Sequence, residues 1–161
     1  MSRYSKFQEP RNVRASPSVS QLSQVCDTIV ESSGDSNSFD PSTRTISWNP
    51  RKGLLTTSGN FISPATRLNH ELDHALQFGT NKDAYNRDVK TSAGGVDETY
   101  TVEEKRVIEG TESRTAARLG EIDEGSKTRL DHCGSPFQTN SPISHEELNE
   151  NKVIITPKNN L

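Results

Sequence analysis

The segment from Ser63 to Gly79 limits the possible folds more than any other part of the chain. Ser63 can cap a helix, Pro64 suits its first position, and Gly79 falls just past the last helical residue. Between them Ala65, Leu68, Leu72, Ala75 and Leu76 recur at three- and four-residue spacing, which makes one apolar stripe on a helical cylinder. The punctuation predicts a helix over 64–78 laid against a core, so other elements must supply that core.

Within this helix, residues 70–74 read His70-Glu71-Leu72-Asp73-His74, with the polar members turned away from the stripe. Residues four apart sit one turn above each other, so two imidazoles can aim at one point in space. Neutral imidazole nitrogens are good ligands for Zn²⁺, and an HExxH pattern on a helix has this chemistry. Glu71 lies about 100° round the helix from His70, near enough to reach a water at the metal without occupying the metal. With only four histidines in 161 residues, coincidence is a poor account of the pattern.

A catalytic zinc wants three protein ligands and one open position. Asp97, Glu103, Glu104, Glu109, Glu112 and His132 are the candidates for the third. A glutamate opening a helix after a long connection can meet the first helix face to face, which points to Glu103 and Glu104. Thr101-Val102-Glu103-Glu104 is also a capping box, in which Glu104 would bond backbone amide instead. Spacing alone leaves both readings open.

Elsewhere the pattern is coarser. A short amphipathic helix is expected from Ser16 to Gly34, carrying Leu22, Val25, Ile29 and Val30. Residues 43–48 alternate like a strand, and 54–62, broken at Ser58-Gly59-Asn60, read as a second strand or hairpin. Residues 79–96 read as a Gly- and Asn-rich connection. A second helical region is expected from Val102, interrupted at Gly110 and ending near Gly120. Segment 97–124 holds nine acids against four bases, which ordinarily marks a solvated face. After Pro136 the chain reads as polar. The implied layout is a polar tail over 1–15, one domain over 16–145 and a polar tail over 146–161.

Hydrophobic residues make up 29% of the chain and the net charge is -3, consistent with a small folded core and polar ends. The acidic balance offers no basic face, which argues against nucleic-acid binding. No apolar run approaches the roughly 18 residues needed to span a bilayer, and no apolar segment follows the basic N-terminus to make a secretory signal. Cys26 and Cys133 form no CxxC pair or disulfide framework, although one bridge between them is conceivable after export.

Trp48-Asn49-Pro50, Ser63-Pro64-Ala65, His70-Glu71-Leu72-Asp73-His74-Ala75, Glu103-Glu104-Lys105-Arg106-Val107-Ile108 and Arg129-Leu130-Asp131-His132 occur in this order. Together they resemble the NleD-type effector zinc metallopeptidases and the similar toxin domains of bacterial Rhs-repeat proteins, over about residues 36–145. The resemblance implies an α+β, zincin-like domain with the HExxH helix beside a short sheet. It also implies that the second acid of Glu-Glu-x-Arg, here Glu104, is the third zinc ligand beside His70 and His74. Glu71 would then be the general base of peptide hydrolysis by a zinc-activated water. Arg129, His132 and Tyr100 are the candidates for stabilising the developing negative charge.

The implied role is that of a bacterial effector or toxin, a monomer delivered into a target cell by a non-Sec route to cut a protein in the cytosol. A reading from a different class is a non-catalytic zinc-binding interaction module, its metal closed by His132 or Cys133 as a fourth ligand.

Overall fold

The computed structural model of the chain describes residues 28–94 and 98–148. Among the described residues six strands, one long helix and three short ones alternate irregularly, so the α+β class expected from the sequence is observed. Strands β1 (Thr28–Glu31), β2 (Ser38–Asp40) and β3 (Thr45–Trp48) form one sheet in the order β1-β3-β2, with β1 parallel to β3 and β2 antiparallel to it. Strands β4 (Lys52–Thr56), β5 (Phe61–Ile62) and β6 (Gly134–Gln138) form a second, antiparallel sheet in the order β5-β4-β6.

Two strands correct the sequence reading. The helix expected over 16–34 is not found in its described part, residues 28–34: Thr28–Glu31 form β1, because three successive β-branched side chains favour the extended backbone; residues 16–27 lie outside the described residues. The chain around Pro136, where the sequence reads only as polar and predicts no strand, pairs with the whole of β4 as β6. Pro136 can sit there because an edge strand does not need every N–H. The pairing also depends on Gly53, where a Cβ would run into the Phe137 ring of the opposite strand.

Helix α1 (Pro64–Thr80) follows β5 directly. Ser63 caps it by accepting from the Thr66 N–H at 3.3 Å, as its sequence indicates, but the helix runs through Gly79 to Thr80. Asn81 then caps a new helix, α2 (Lys82–Asp88), through the N–H of Ala84 at 3.2 Å. The expected irregular connection over 79–96 is thus helical in its first half.

The second helical region begins at Val102, as expected. It consists of α3 (Val102–Val107), a π turn (Ile108–Glu112) and α4 (Ser113–Arg118). Gly110 lies inside the π turn, and Gly120, with φ +73°, follows the helix end.

The apolar core is small. Phe39, Ile46, Ala75 and Tyr85 are buried together under Trp48, Leu68, Leu72, Phe78 and Val89, which joins α1, α2 and the first sheet. Phe39, Phe78 and Tyr85 meet edge to face with centroids 5.4–6.3 Å apart. The Trp48 indole N–H donates to Pro64 O at 2.8 Å, which ties this sheet to the start of α1. A second cluster of Leu54, Ile62 and Ala116 joins the other sheet to α4. No described helix is long and apolar enough to cross a membrane.

Candidate metal centre

The polar side of α1 is also buried, and there the site is assembled. Thr66, His70, Glu71, Asp73, His74 and Gln77 are all withdrawn from solvent. Opposite them stand α3 and the π turn, whose Glu103 and Glu112 are both fully buried. The acid-rich segment therefore does not form only a solvated face: two of its glutamates are among the most enclosed side chains described.

His70 Nε2 and His74 Nε2 converge to 3.0 Å. Glu104 completes the group, Oε2 lying 3.1 Å from His70 Nε2 and Oε1 3.2 Å from His74 Nε2. One ligand atom from each of the three residues falls within 4.8 Å of the others. The His70-His74-Glu104 group could therefore hold a metal ion.

The opposite nitrogens are fixed by carboxylates. His70 Nδ1 donates to Glu112 Oε2 at 2.6 Å, and His74 Nδ1 to Glu103 Oε1 at 3.1 Å. With the proton on Nδ1 alone, the form a metal ligand takes, each Nε2 would turn a lone pair toward the carboxylate of Glu104. Glu104 Oε2 is itself buried without a well-formed hydrogen bond. Three ligand atoms turned to one place need something positive among them, protons on the imidazoles or a metal cation in their stead, so the residues fit a metal cation. Carboxylates on the far nitrogen also orient a ligating imidazole and raise its basicity.

Arginines neutralise the supporting acids. Arg129 donates from Nη2 to Glu112 Oε2 at 2.7 Å and from Nε to Oε1 at 3.1 Å, and Thr128 Oγ1 donates to the same carboxylate. Arg106 bridges Glu103, at 2.7 Å, and Asp73, at 2.8 Å. Without a metal, burial opposes the charge on His74, but hydrogen bonds from its ring to Glu103 and Glu104 outweigh burial and raise its pKa to about 10. The balance for His70 runs the same way, with Glu104 and Glu112 as its partners. Burial likewise works against the ionised forms of Glu104 and Glu112, yet their cationic partners hold both well below the usual carboxylate range.

Three of the four candidate glutamates are thus separated by side and depth. Glu104 faces the two Nε2 atoms, Glu103 the outer face of His74 and Glu112 the outer face of His70. Thr101 caps α3 by accepting from Glu104 N–H at 3.2 Å, so the forward half of the capping box forms while the Glu104 side chain turns to the histidines. Glu109 pairs instead with Lys127 at 2.6 Å, and Asp97 lies outside the described residues. The π turn aligns the others. Eight residues of regular helix would carry Glu112 about 80° round the axis from Glu104, and a turn that spends about one more residue per revolution takes most of that rotation back.

Glu71 and His132 border two adjoining clefts. The larger, about 410 Å³, is lined in part by Asp35, Leu54, Arg67 and Arg129. The smaller, about 190 Å³, is lined in part by Phe39, His74, Tyr85 and Glu104. His132 Nε2 lies 3.3 Å from Glu104 Oε2, and burial lowers the pKa of its ring.

The other candidates divide. Arg129 is buried against Glu112 and also donates to His132 O at 3.0 Å, so it holds the supporting acid and the His132 loop together. Tyr100 is buried but borders neither cleft. A tyrosine that does border one is Tyr85, which sequence reasoning missed; its ring centroid lies 6.4 Å from that of His74, and burial beside Glu103 and Glu104 pushes its phenol up to about 12. Its position in α2 became visible only once that helix was placed. Cys133 is exposed at the rim of the larger cleft, and Cys26 lies outside the described residues. Compared with known proteins, the chain matches no family model, no curated protein and no solved structure.

Proposed function

We propose that the protein is a zinc-dependent metalloendopeptidase of zincin-like fold, acting as a bacterial effector or toxin on a protein of the target cell. The observation that carries the reading is the convergence of His70 Nε2, His74 Nε2 and the Glu104 carboxylate, with Glu71 one residue along in the clefts beside them. The ordered motifs that resemble the NleD-type enzymes support the effector role.

His70, His74 and Glu104 would hold the zinc, which when bound supplies a Lewis acid for the substrate carbonyl and acidifies a water near neutral pH. Glu112 and Glu103 keep both imidazoles in the tautomer that presents Nε2. Glu71 takes the proton from the attacking water on a carboxylate oxygen. As the hydroxyl oxygen bonds to the carbonyl carbon and the C–N bond breaks, Glu71 passes that proton to the departing amine nitrogen. His132, at the rim of both clefts, is placed to donate to the carbonyl oxygen as its charge grows.

A second reading has one observation in its favour: His132 is close enough to Glu104 to turn inward as a fourth ligand and close the site. Elemental mass spectrometry of the purified wild type and Glu104→Ala, with peptide cleavage by wild type and Glu71→Gln, separates the readings. Bound zinc that is weakened by Glu104→Ala, with cleavage lost but zinc retained in Glu71→Gln, is the expected result. A wild type that takes up no zinc after reconstitution overturns both zinc readings. Zinc uptake with no cleavage, abolished by His132→Ala, favours the closed site.

A further inference from the structure

We propose that Asn37 is a substrate-binding residue, donating from its side-chain amide to a backbone carbonyl oxygen of an extended peptide that lies past Glu71 and His132. This deepens the metallopeptidase reading and rests on it.

Asn37 immediately precedes β2 and borders both clefts, in company with Glu71 and His132. Its amide is held in one orientation. Asn37 Oδ1 accepts from the Asn49 backbone N–H at 3.1 Å. Asn49 is itself clamped, its Nδ2 donating to Gly34 O at 2.8 Å and its Oδ1 accepting from Arg51 N–H at 3.0 Å. Turning the Asn37 amide over would set two donors against each other, so Nδ2 stays on the other side. That nitrogen is buried and has no hydrogen-bond partner among the described residues.

Buried side-chain donors almost always have a partner, and one without is costly to keep. A ligand acceptor entering the cleft relieves that cost. The surroundings select the acceptor's charge in the smaller cleft, which Glu71 and Glu104 border and no arginine or lysine does, so there an anion is disfavoured where a neutral carbonyl is not; the larger cleft sets Arg67 and Arg129 against Asp35 and Glu71. A peptide backbone offers one such carbonyl per residue, and its side chains alternate in direction when extended. The smaller cleft, with Phe39, Tyr85 and Val89 on its wall, offers an apolar side chain a place beside the bonded carbonyl.

The test uses the zinc-loaded full chain and two hydroxamates measured by titration calorimetry. Acetohydroxamate has no peptide carbonyl, whereas a succinyl-dipeptide hydroxamate has several. Asn37→Asp keeps the acceptor that Asn49 needs and replaces the donor by a carboxylate oxygen, and Asn37→Ala removes both without adding charge. The expected result is that both variants retain zinc and bind acetohydroxamate within about twofold of wild type, but bind the dipeptide hydroxamate about tenfold more weakly. Equal binding of the dipeptide probe by wild type and both variants overturns the role of Asn37 and leaves the peptidase reading intact. Equal loss of both probes also overturns it, since Asn37 would then be holding its loop rather than substrate. A zinc-loaded wild type that binds neither probe overturns the peptidase reading and this proposal together.

Discussion

Helix α1 buries two unlike sides. On one, Ala75 with Leu68 and Leu72 packs on Phe39, Ile46 and Tyr85; on the other, His70 and His74 face Glu103, Glu104 and Glu112, and Asp73 meets Arg106. The apolar side gains stability from each group it removes from water and tolerates small losses. The polar side is expensive to bury and holds only as a complete set, because removing one member leaves a charge or donor stranded. The residues that could hold and orient a metal are therefore also the ones least free to change singly. Stability comes chiefly from one side of the helix and chemistry from the other.

The sharpest way to break this division is Glu71→Gln. Glu71 lines the clefts without being part of the metal group, so cleavage should fall about a thousandfold, within the range for a lost general base, while zinc content and Tm stay at wild-type values. A Tm that drops with the activity would show that Glu71 belongs to the structural set.

Glu112→Ala should be the most damaging change to stability. It strands the buried Arg129 guanidinium and releases His70 Nδ1, at a cost of about 3–5 kcal/mol in unfolding free energy and about 10–100-fold in zinc affinity. Denaturant titration and competition with a chelating dye measure the two. Ile46→Ala on the apolar side should cost a comparable ~2–5 kcal/mol by leaving a cavity, with zinc affinity unchanged; coupled losses in that variant would erase the distinction between the sides.

Metal removal should act on the polar side alone. Adding free zinc at about 100 times its Kd should stabilise the metal-free protein by about 2.7 kcal/mol, seen as a rise in Tm. The increment should survive in Ile46→Val and shrink in Glu104→Ala.

The smallest effect concerns Glu121, which accepts from Thr66 Oγ1 at 2.8 Å near the start of α1. Burial raises its pKa above the usual carboxylate value, outweighing its hydrogen bonds to Ser63 and Thr66. The folded state therefore keeps a proton that the unfolded chain has already released, and stability falls as pH rises from the unfolded value through the folded one. Glu121→Gln should flatten that part of the curve by a fraction of a kcal/mol. An unchanged slope in Tm against pH would show that Glu121 ionises normally.

Much of the local architecture was legible. Ser63 and Thr101 cap the helices their sequences mark, the hairpin turns at Ser58-Gly59-Asn60, and Gly120 follows a helix end. These features depend on a few neighbouring residues and on backbone preferences that any chain shares. The spacing of His70 and His74 was legible for the same reason, since a helix alone sets two imidazoles on one side.

What the sequence could not decide was which partner each of these groups would meet. Glu103, Glu104 and Glu112 look equivalent as letters, but the phase of α3 and the π turn sends them to three different positions around the histidines. Strand β6, with Pro136 in it and Phe137 as its one large apolar residue, has no periodic signal of its own and exists because β4 offers it an edge. Asn37 is ordinary until the clamp from Asn49 orients it. The sequence determined the helix, its caps and the pair of nitrogens it presents, because those follow from contacts within a few residues. The tertiary structure alone decided the third ligand's approach, the buried supporting acids and the unpaired amide, because each depends on charges and donors brought together from distant segments at a cost that only the finished set repays.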